Sequence, residues 1–498
     1  MTLLDKIERA GNRLPHPASL FAIGLLIVIL ISQLAASLEW TINNPYTDKL
    51  EARSLLSSTG LWWLLSHMVE NFIRFPPLAI VLVGMLGIGM AERTGLLPAL
   101  LRNLMLITPR QLLTPVTLLL GIMSSLGLDA GYVVLPPIAA AMYLAAGRSP
   151  LTGIATVFAG VSAGFSANLL ITAVDPLLAG FTQAAASIIR PDYQVAVTAN
   201  WWFMIASTVI LMFAGWFVTA KWVEPAADSY VITEPAEEQA PIDREREKRG
   251  LLHALLAILI VFGLIIAAIL VPGGPLFGEG KRFDRWIEVT VPILFLMFFI
   301  PGVVFGISSR TIKNDRDAAK IMGQTLSGLG PYIVLAFFAA QFIEAFKYSG
   351  LGEMLAISGG QYLASLNIIS PALLTGFILL AMTANLFIGS ASAKYAFLAP
   401  VFVPMLMQVG FSPELTQAAY RVGDSVTNII TPLNPYMVII LAQVQKYARG
   451  SGMGTLIAMM LPYALCFALV WTLLLTAWMV LDIPLGPGAP LHFDLSSL

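Results

Sequence analysis

The sequence predicts an all-α polytopic membrane protein, and three observations carry that expectation. Hydrophobic residues fill 57% of the 498 positions. Charged residues fill only 11%, against roughly 25% in soluble domains. The apolar residues also gather in runs of about 20, the length that crosses a hydrocarbon core of about 30 Å. So few charges cannot coat soluble domains of this bulk, and a net charge of −1 provides no basic face for nucleic acid. Cys466 is the only cysteine, which excludes a disulfide framework, a cysteine-based zinc site and an iron–sulfur cluster.

Lys6, Arg9 and Arg13 precede the run Ala18–Ser37, which is long enough for a retained first span rather than the shorter core of a cleaved signal. Further runs lie at Pro76–Ala91, Trp201–Lys221, Leu251–Val271, Val289–Phe305, Ile333–Phe346 and Ile457–Val480. Leu112–Gly147 and Pro371–Gly410 are apolar but too short for two spans each, and small and polar residues interrupt both. They read as re-entrant hairpins, whose non-helical tips must be buried in protein or line a wet cavity. Basic residues favour the cytoplasmic side, which places the N-terminus, Lys221–Arg249, Arg310–Lys320 and Lys446–Arg449 inside. No Lys or Arg follows Arg449, so the C-terminus is expected outside. The sum is nine transmembrane helices plus two re-entrant hairpins in the inner membrane, the first hairpin entering from the cytoplasm and the second from outside.

The chain divides accordingly. Residues 1–75 hold the first span and an outer loop, and 76–200 hold a first repeat with a hairpin at about 112–147 and a broken helix at about 151–176. Middle spans and a solvated cytoplasmic loop, 222–250, fill 201–325. A second repeat fills 326–450, with a hairpin at about 371–410 and a broken helix at about 415–445. The last span and the outer C-terminus fill 451–498.

The repeat is visible in the residues. Tyr132 to Pro150 aligns without a gap on Tyr395 to Pro413, keeping Tyr, Leu, Pro, Met, Gly, Ser and Pro. Thr94-Gly95-Leu96 mirrors Ser349-Gly350-Leu351, and Ser166–Pro176 resembles Ser425–Pro435 across a small gap. The predicted topology sets the copies in opposite orientations, the pattern of secondary transporters with interrupted helices near the midplane.

Each copy brings polar residues to a hairpin tip and to a helix break. Ser124, Ser125 and Asp129 mark the first tip, and Asn385, Ser390, Ser392, Lys394 and Tyr395 mark the second. A half-helix that starts at a tip presents amides that favour an anion. Pro176, Pro432 and Pro435 prevent continuous helix at the breaks, where Ser166, Asn168, Asn428 and Asn434 can replace lost backbone bonds. Asp175 and Asp424 lie at these breaks, and an intramembrane carboxylate is a functional candidate by default. Asp424 follows Arg421 by three residues, which predicts an ion pair on one helical face that also suits opening and closing with protonation. Asp175 suits coupling-ion work or a place at the outer interface. Asp129 suits coupling or a helix cap. Lys394 suits a substrate carboxylate or an aspartate. Asn385 suits substrate or helix packing, and Tyr395 an aromatic substrate or the core. A sodium site, if sodium is the coupling ion, is expected near Asp424, Asn385, Asn428 and Asn434.

Gly160-Val-Ser162-Ala-Gly164 has the spacing of a nucleophile elbow, which needs a preceding strand and a histidine partner. Here it lies in an apolar run, while His16, His67, His253 and His492 fall at or outside the membrane boundaries. The chain also lacks a phosphate-binding loop motif. An enzyme is not expected, nor a resident cofactor.

Leu335–Phe342, Asn385–Tyr395, Tyr420-Arg421-Val-Gly-Asp424 and Asn428–Tyr436 resemble the AbgT family of p-aminobenzoyl-glutamate transporters and proposed sulfonamide exporters. The resemblance implies a homodimer with nine spans and two hairpins per protomer, driven by a cation gradient, with substrate held between the hairpin tips. It places family functional positions on Asp175, Asn385, Tyr395, Pro413, Arg421 and Asp424. The family usually carries Trp after Ser-Ala-Lys, and this chain carries Tyr395.

The expected function is secondary active transport of p-aminobenzoyl-glutamate-like aromatic carboxylates, export of sulfonamide antifolates, or both, coupled to H+ or Na+. Asn385, Ser390, Ser392 and Tyr395 are expected to touch substrate from one side, and Ser124, Ser125, Ser166 and Asn168 from the other. Coupling and gating fall to Asp175, Asp424, Arg421, Pro413, Lys394 and Asp129. The rivals are a dicarboxylate or other anion transporter of the same superfamily, an ion channel and an intramembrane aspartyl protease.

Overall fold

The computed structural model describes residues 17–42, 49–127, 130–232, 244–277, 284–366 and 368–495. Pro17–Ser37 (α1) is followed by a two-stranded antiparallel ribbon, Thr41–Ile42 (β1) against Leu50–Glu51 (β2), with Thr41 opposite Glu51. Ser58–Ile73 (α2) starts on the Ser57 side chain, which accepts from the Gly60 amide. Pro76–Arg93 (α3) begins with two prolines, which lack the amide that a first turn leaves unpaired.

The first repeat then runs through Leu96–Leu106 (α4), the hairpin Leu113–Met123 (α5) and Ala130–Ala145 (α6), and a helix broken into Pro150–Phe158 (α7) and Val174–Ala186 (α8). Trp201–Val218 (α9), Glu224–Ala227 (α10), Arg244–Leu270 (α11), Asp284–Glu288 (α12), Thr290–Ser308 (α13) and Asp315–Gly328 (α14) connect the repeats. The second repeat has the same order. Gly330–Tyr348 (α15) and Leu351–Ser365 (α16) lead to the hairpin Ser370–Asn385 (α17) and Ala391–Met407 (α18). The helix broken into Pro413–Val426 (α19) and Met437–Tyr447 (α20) follows, and then Met453–Val480 (α21). Among the described residues six helices are long and apolar enough to cross a membrane, and eight if two bent pairs each count as one span.

Four left-handed glycines punctuate the copies at matching places. Gly95 (φ 93°) precedes α4 and Gly350 (φ 75°) precedes α16; Gly147 (φ 76°) and Gly410 (φ 87°) end the hairpins. Only glycine adopts this conformation without a Cβ clash, which explains the glycine in each copy. The break glycines match as well, since 423 − 160 and 413 − 150 give the same offset of 263. A Cβ on Gly160 would meet the Leu118 carbonyl of α5 at 2.7 Å, and one on Gly423 the Ile378 carbonyl of α17 at 2.5 Å. Each hairpin therefore lies on its own broken helix at backbone contact, the packing that substitutes for a hydrophobic drive in lipid.

The copies are inverted. Arg148, at the open end of the first hairpin, grips Glu224 beyond one end of α9 through Nε–Oε1 (2.5 Å) and Nη2–Oε2 (2.9 Å). At the other end of α9 the Phe203 amide donates to the Leu485 carbonyl (3.1 Å). The same C-terminal segment bridges from His492 to Phe411, at the open end of the second hairpin. Eighteen residues of α9, about 27 Å of rise, separate the two ends.

Two segments wind as π-helix, Ala159–Ala163 and Thr219–Val223. Such one-turn bulges cluster at functional places. The first holds Gly160 to Ala163 of the elbow-like Gly160-Val-Ser162-Ala-Gly164, with Gly164 just after it, and this run is buried and packed on α5 rather than a strand-to-helix turn.

Candidate functional site

Hairpin tips and helix breaks meet in the interior. Asn385, the last residue of α17, donates from Nδ2 to the Asp424 carbonyl (2.7 Å), the Thr427 hydroxyl (2.8 Å) and the Asn428 side-chain oxygen (2.9 Å). Its own oxygen accepts from the Lys394 ammonium, which also contacts Asp424 Oδ1 (2.5 Å) and donates to the Ile388 carbonyl (3.2 Å). Lys394 is fully buried and Asp424 is 1% exposed. The second tip is thus clamped to its break by an internal ammonium. The same ammonium lies among the oxygens on which a sodium site was expected, those of Asp424 and Asn385, with Asn428 beside them.

Asp175 sits in the first turn of α8, where aligned amides favour a carboxylate. Its Oδ2 accepts from the Thr172 amide (2.6 Å) and the Thr172 hydroxyl (2.9 Å). Its Oδ1 takes Arg421 Nη1 at 2.6 Å, while Arg421 Nη2 donates to the Ser166 carbonyl (3.1 Å). Asp175 is 6% exposed and lies at the break, against Arg421. The spacing of Arg421 and Asp424 predicts that they pair with each other, and here the structure departs. Arg421 extends across to the other copy, and Asp424 is held from its own hairpin by Lys394. Sequence spacing sees only neighbours along one helix. Arg421 Nε and the Ser425 hydroxyl, one helical turn apart, have no hydrogen-bond partner among the described residues.

Further bonds cross between the copies. Asn434 Nδ2 donates to the Ser162 hydroxyl (3.1 Å) and the Asn428 carbonyl (2.9 Å), and Asn428 Nδ2 to the Ser162 carbonyl (3.5 Å). Tyr132 of α6 stacks on Tyr436 with ring centres 4.1 Å apart. Tyr395, fully buried, lies against Tyr420 at 4.3 Å, and its hydroxyl is 2.6 Å from that of Thr182 on α8. Thr182 donates to Gln417 (2.6 Å), and Gln417 to Asn200 (2.9 Å). Tyr420 donates to Asp424 Oδ1 (3.0 Å).

In the first copy, Asn168 Nδ2 donates to the Ser125 hydroxyl (2.8 Å) and the Ile122 carbonyl (3.3 Å), tying that tip to its break. Ser124 returns its hydroxyl to the Gly121 carbonyl (2.6 Å), and Ser166 is buried beside Arg421. Ser390 caps α18 by accepting from the Ala393 amide (3.3 Å) and lies 3.3 Å from Ser392, exposed at the tip. Pro413 opens α19 behind Ser412, whose hydroxyl accepts from the Leu415 amide (3.0 Å). Asp129 lies outside the described residues. Gln341, within the family-like motif, bonds to α2 at Met68 and Asn71 and not to either tip.

Sequence reading missed Glu414, Gln417 and Thr182. The signal for them was scarcity: in a chain this apolar, every polar side chain on a buried helix stands out. The repeat sharpens that signal. At the offset of 263, Glu414, Gln417, Arg421 and Asp424 replace Leu151, Ile154, Phe158 and Val161, all four of them buried. At these four positions the second copy carries polar and charged side chains and the first carries the matching apolar frame.

Two cavities flank this centre. One of about 730 Å³ is walled by apolar side chains of α4, α11 and α13 and reaches Leu126 and Leu170 beside the first tip and break. A polar one of about 370 Å³ lies along α8 and includes Arg74, Gln183, Gln194 and Lys347.

Inverted copies, each with a hairpin locked to a broken helix and joined to each other through the buried Arg421–Asp175 pair, define a multi-pass membrane transporter. The model of the AbgT putative transporter family matches residues 2–493, and the chain belongs to that family. It is 33% identical over 487 residues to the p-aminobenzoyl-glutamate transport protein of Escherichia coli (strain K12), covering 97% of this chain and 95% of that one. The solved structure of the Alcanivorax borkumensis YdaH transporter superposes with a TM-score of 0.91 at 42% identity, over 95% of this chain and all of that chain. Neisseria gonorrhoeae MtrF, of a class of antimetabolite efflux pumps, gives 0.89 at 40% identity over 98% of this chain and all of that chain. Family and relatives are transporters, not enzymes.

Proposed function

We propose that this chain is a secondary active transporter that moves p-aminobenzoyl-glutamate-like aromatic carboxylates, sulfonamide antifolates, or both across the inner membrane, driven by a proton or sodium gradient. The observation that carries the reading is the pair of buried ion pairs, Arg421–Asp175 and Lys394–Asp424, set where two inverted copies cross. Charges sealed in a membrane protein mark ion and substrate pathways. Relatives named for p-aminobenzoyl-glutamate transport and antimetabolite efflux support the substrate class.

In this reading nine spans and two re-entrant hairpins form each protomer of a homodimer, with the N-terminus cytoplasmic and the C-terminus outside. That orientation puts residues 187–200, 408–412 and 485–495 on the outer face. Substrate lies between Asn385, Ser390, Ser392 and Tyr395 on one side and Ser124, Ser125, Ser166 and Asn168 on the other. The unpaired Arg421 Nε and Ser425 hydroxyl offer two donors for a substrate carboxylate. Asp175, Asp424, Arg421, Lys394 and Pro413 gate the cycle and, with Asp129, couple it to the driving ion. Because Lys394 already supplies a cation to Asp424 and Asn385, the observations favour a proton as that ion.

The test is flux of radiolabelled p-aminobenzoyl-glutamate in liposomes, with proton and sodium gradients imposed separately. Flux that follows one gradient and vanishes on its collapse supports the reading and names the ion. Absence of gradient-dependent flux, with succinate transported instead, overturns the substrate in favour of dicarboxylates.

A further inference from the structure

Glu414 lies deep in the protein, 2% exposed, two residues after the cap of α19. Its carboxylate accepts from the Tyr193 hydroxyl at 2.9 and 3.2 Å, and no Lys or Arg lies within ion-pair distance of it among the described residues. An ionised carboxylate sealed away from water without a cation is costly to keep. Helix capping does not demand the acid, because Ser412 already satisfies the first turn. The repeat supplies an internal comparison: Leu151 fills the corresponding place in the first copy, also behind a serine, and is fully buried. The fold at this position therefore needs volume and not charge.

What covers Glu414 comes from other elements. Tyr193 belongs to the 187–200 loop, held by Gln183, which takes the Tyr193 carbonyl and accepts from the Val195 amide (2.5 Å). The C-terminal segment adds Phe493, 5.8 Å from the Tyr193 ring. Facing this cluster are Tyr395 from α18 and Arg190 at 6.0 Å from the Tyr193 ring with Asp192 beside it, and the segment that carries Phe493 also carries the exposed His492, paired with Asp482, and Asp494. Inward, the Glu414 carbonyl accepts from Asn200, which leads through Gln417 and Thr182 to Tyr395.

We propose that Glu414 is a proton-exchanging group of the outer gate. With the Tyr193 loop seated it holds a proton and is sealed; when the loop lifts it meets water and releases that proton to the same side. The carboxylate gains and loses one proton from outer water, so seating is linked to proton uptake. This extends the transport reading above and rests on it for the sidedness of the gate.

The test places a reporter thiol at a buried position of the loop, Thr198→Cys in a Cys466→Ser chain, and follows its labelling by a membrane-permeant maleimide against pH. Rates are normalised to the unfolded chain at the same pH. The expected result is an approximately tenfold rise between about pH 5 and about pH 9, flat in Glu414→Gln and in Glu414→Leu, the residue of the first copy. A flat profile with Glu414 present, or a rise that survives both substitutions, overturns the proposal. A reporter chain with Glu414 intact that labels as expected, beside a wild-type chain that shows no gradient-driven flux, would overturn the transport reading and leave Glu414 as the group that controls the loop.

Discussion

Arg421 Nη1 meets Asp175 Oδ1 at 2.6 Å across 246 residues of sequence, joining the start of the half-helix α8 in one copy to α19 in the other. Both partners are buried, and the guanidinium spends a second donor on the Ser166 carbonyl.

Removing either member strands the other. Asp175→Asn or Arg421→Gln should each cost about 3–5 kcal/mol of stability, because a buried charge is left uncompensated. The double substitution should recover much of that loss in thermal unfolding while gradient-driven flux stays low. Full recovery of flux by the double variant would reduce the pair to a structural tie.

Lys394 and Asp424 are expected to separate coupling from substrate exchange. Asp424→Asn keeps the shape of the site and removes the charge that the ammonium neutralises. Flux driven by a cation gradient should fall at least about tenfold, a loss of about 1.4 kcal/mol or more in the driven step. Exchange of labelled for unlabelled substrate with no gradient should persist. Unchanged driven flux would take Asp424 out of the coupling machinery.

Tyr395→Phe deletes one buried hydroxyl while Thr182 keeps its bond to Gln417. The stability cost should be about 1 kcal/mol. Tyr395→Trp restores the residue that the family usually carries but brings an indole into a fully buried place. It should shift preference between p-aminobenzoyl-glutamate and a sulfonamide in competition assays, whereas Tyr395→Phe should shift it less.

Gly160→Ala and Gly423→Ala push a methyl into the carbonyls of Leu118 and Ile378. Each should be clearly destabilising, by about 1–3 kcal/mol, since backbone on the opposing helix cannot yield cheaply. Gly147→Ala meets nothing within 4 Å and suffers only its positive φ, so about 1 kcal/mol is expected. Thermal unfolding in detergent ranks the three.

Much of this architecture is legible in the residues because membrane helices write their own lengths. Gly147-Arg-Ser149-Pro150 and Gly410-Phe-Ser412-Pro413 announce the repeat, since a left-handed glycine followed by a serine and proline start is a local requirement of each hairpin's exit. The partners of charges are not local. Arg421 stands three residues from Asp424 and bonds elsewhere, because Lys394, on a different helix, reaches Asp424. The π-helical turns at Ala159–Ala163 and Thr219–Val223 leave no mark in composition; the first packs on α5 and the second carries the Thr219–Tyr463 hydroxyl contact (2.5 Å). Glu414 stands out by its rarity in so apolar a chain, and most sharply when the copies are laid side by side and one holds an acid where the other holds Leu151.

The span of sequence between Asp175 and its guanidinium also sets a schedule for biogenesis. At about 5–20 residues per second, the ribosome needs roughly 12–50 s to make the 246 residues that separate the two. Throughout that interval the aspartate has been made and its countercharge has not, and only the Thr172 amide and hydroxyl are at hand to hold it. The first half of the protein thus reaches the insertion machinery as an unfinished electrostatic object, and assembly is complete only when α19 arrives.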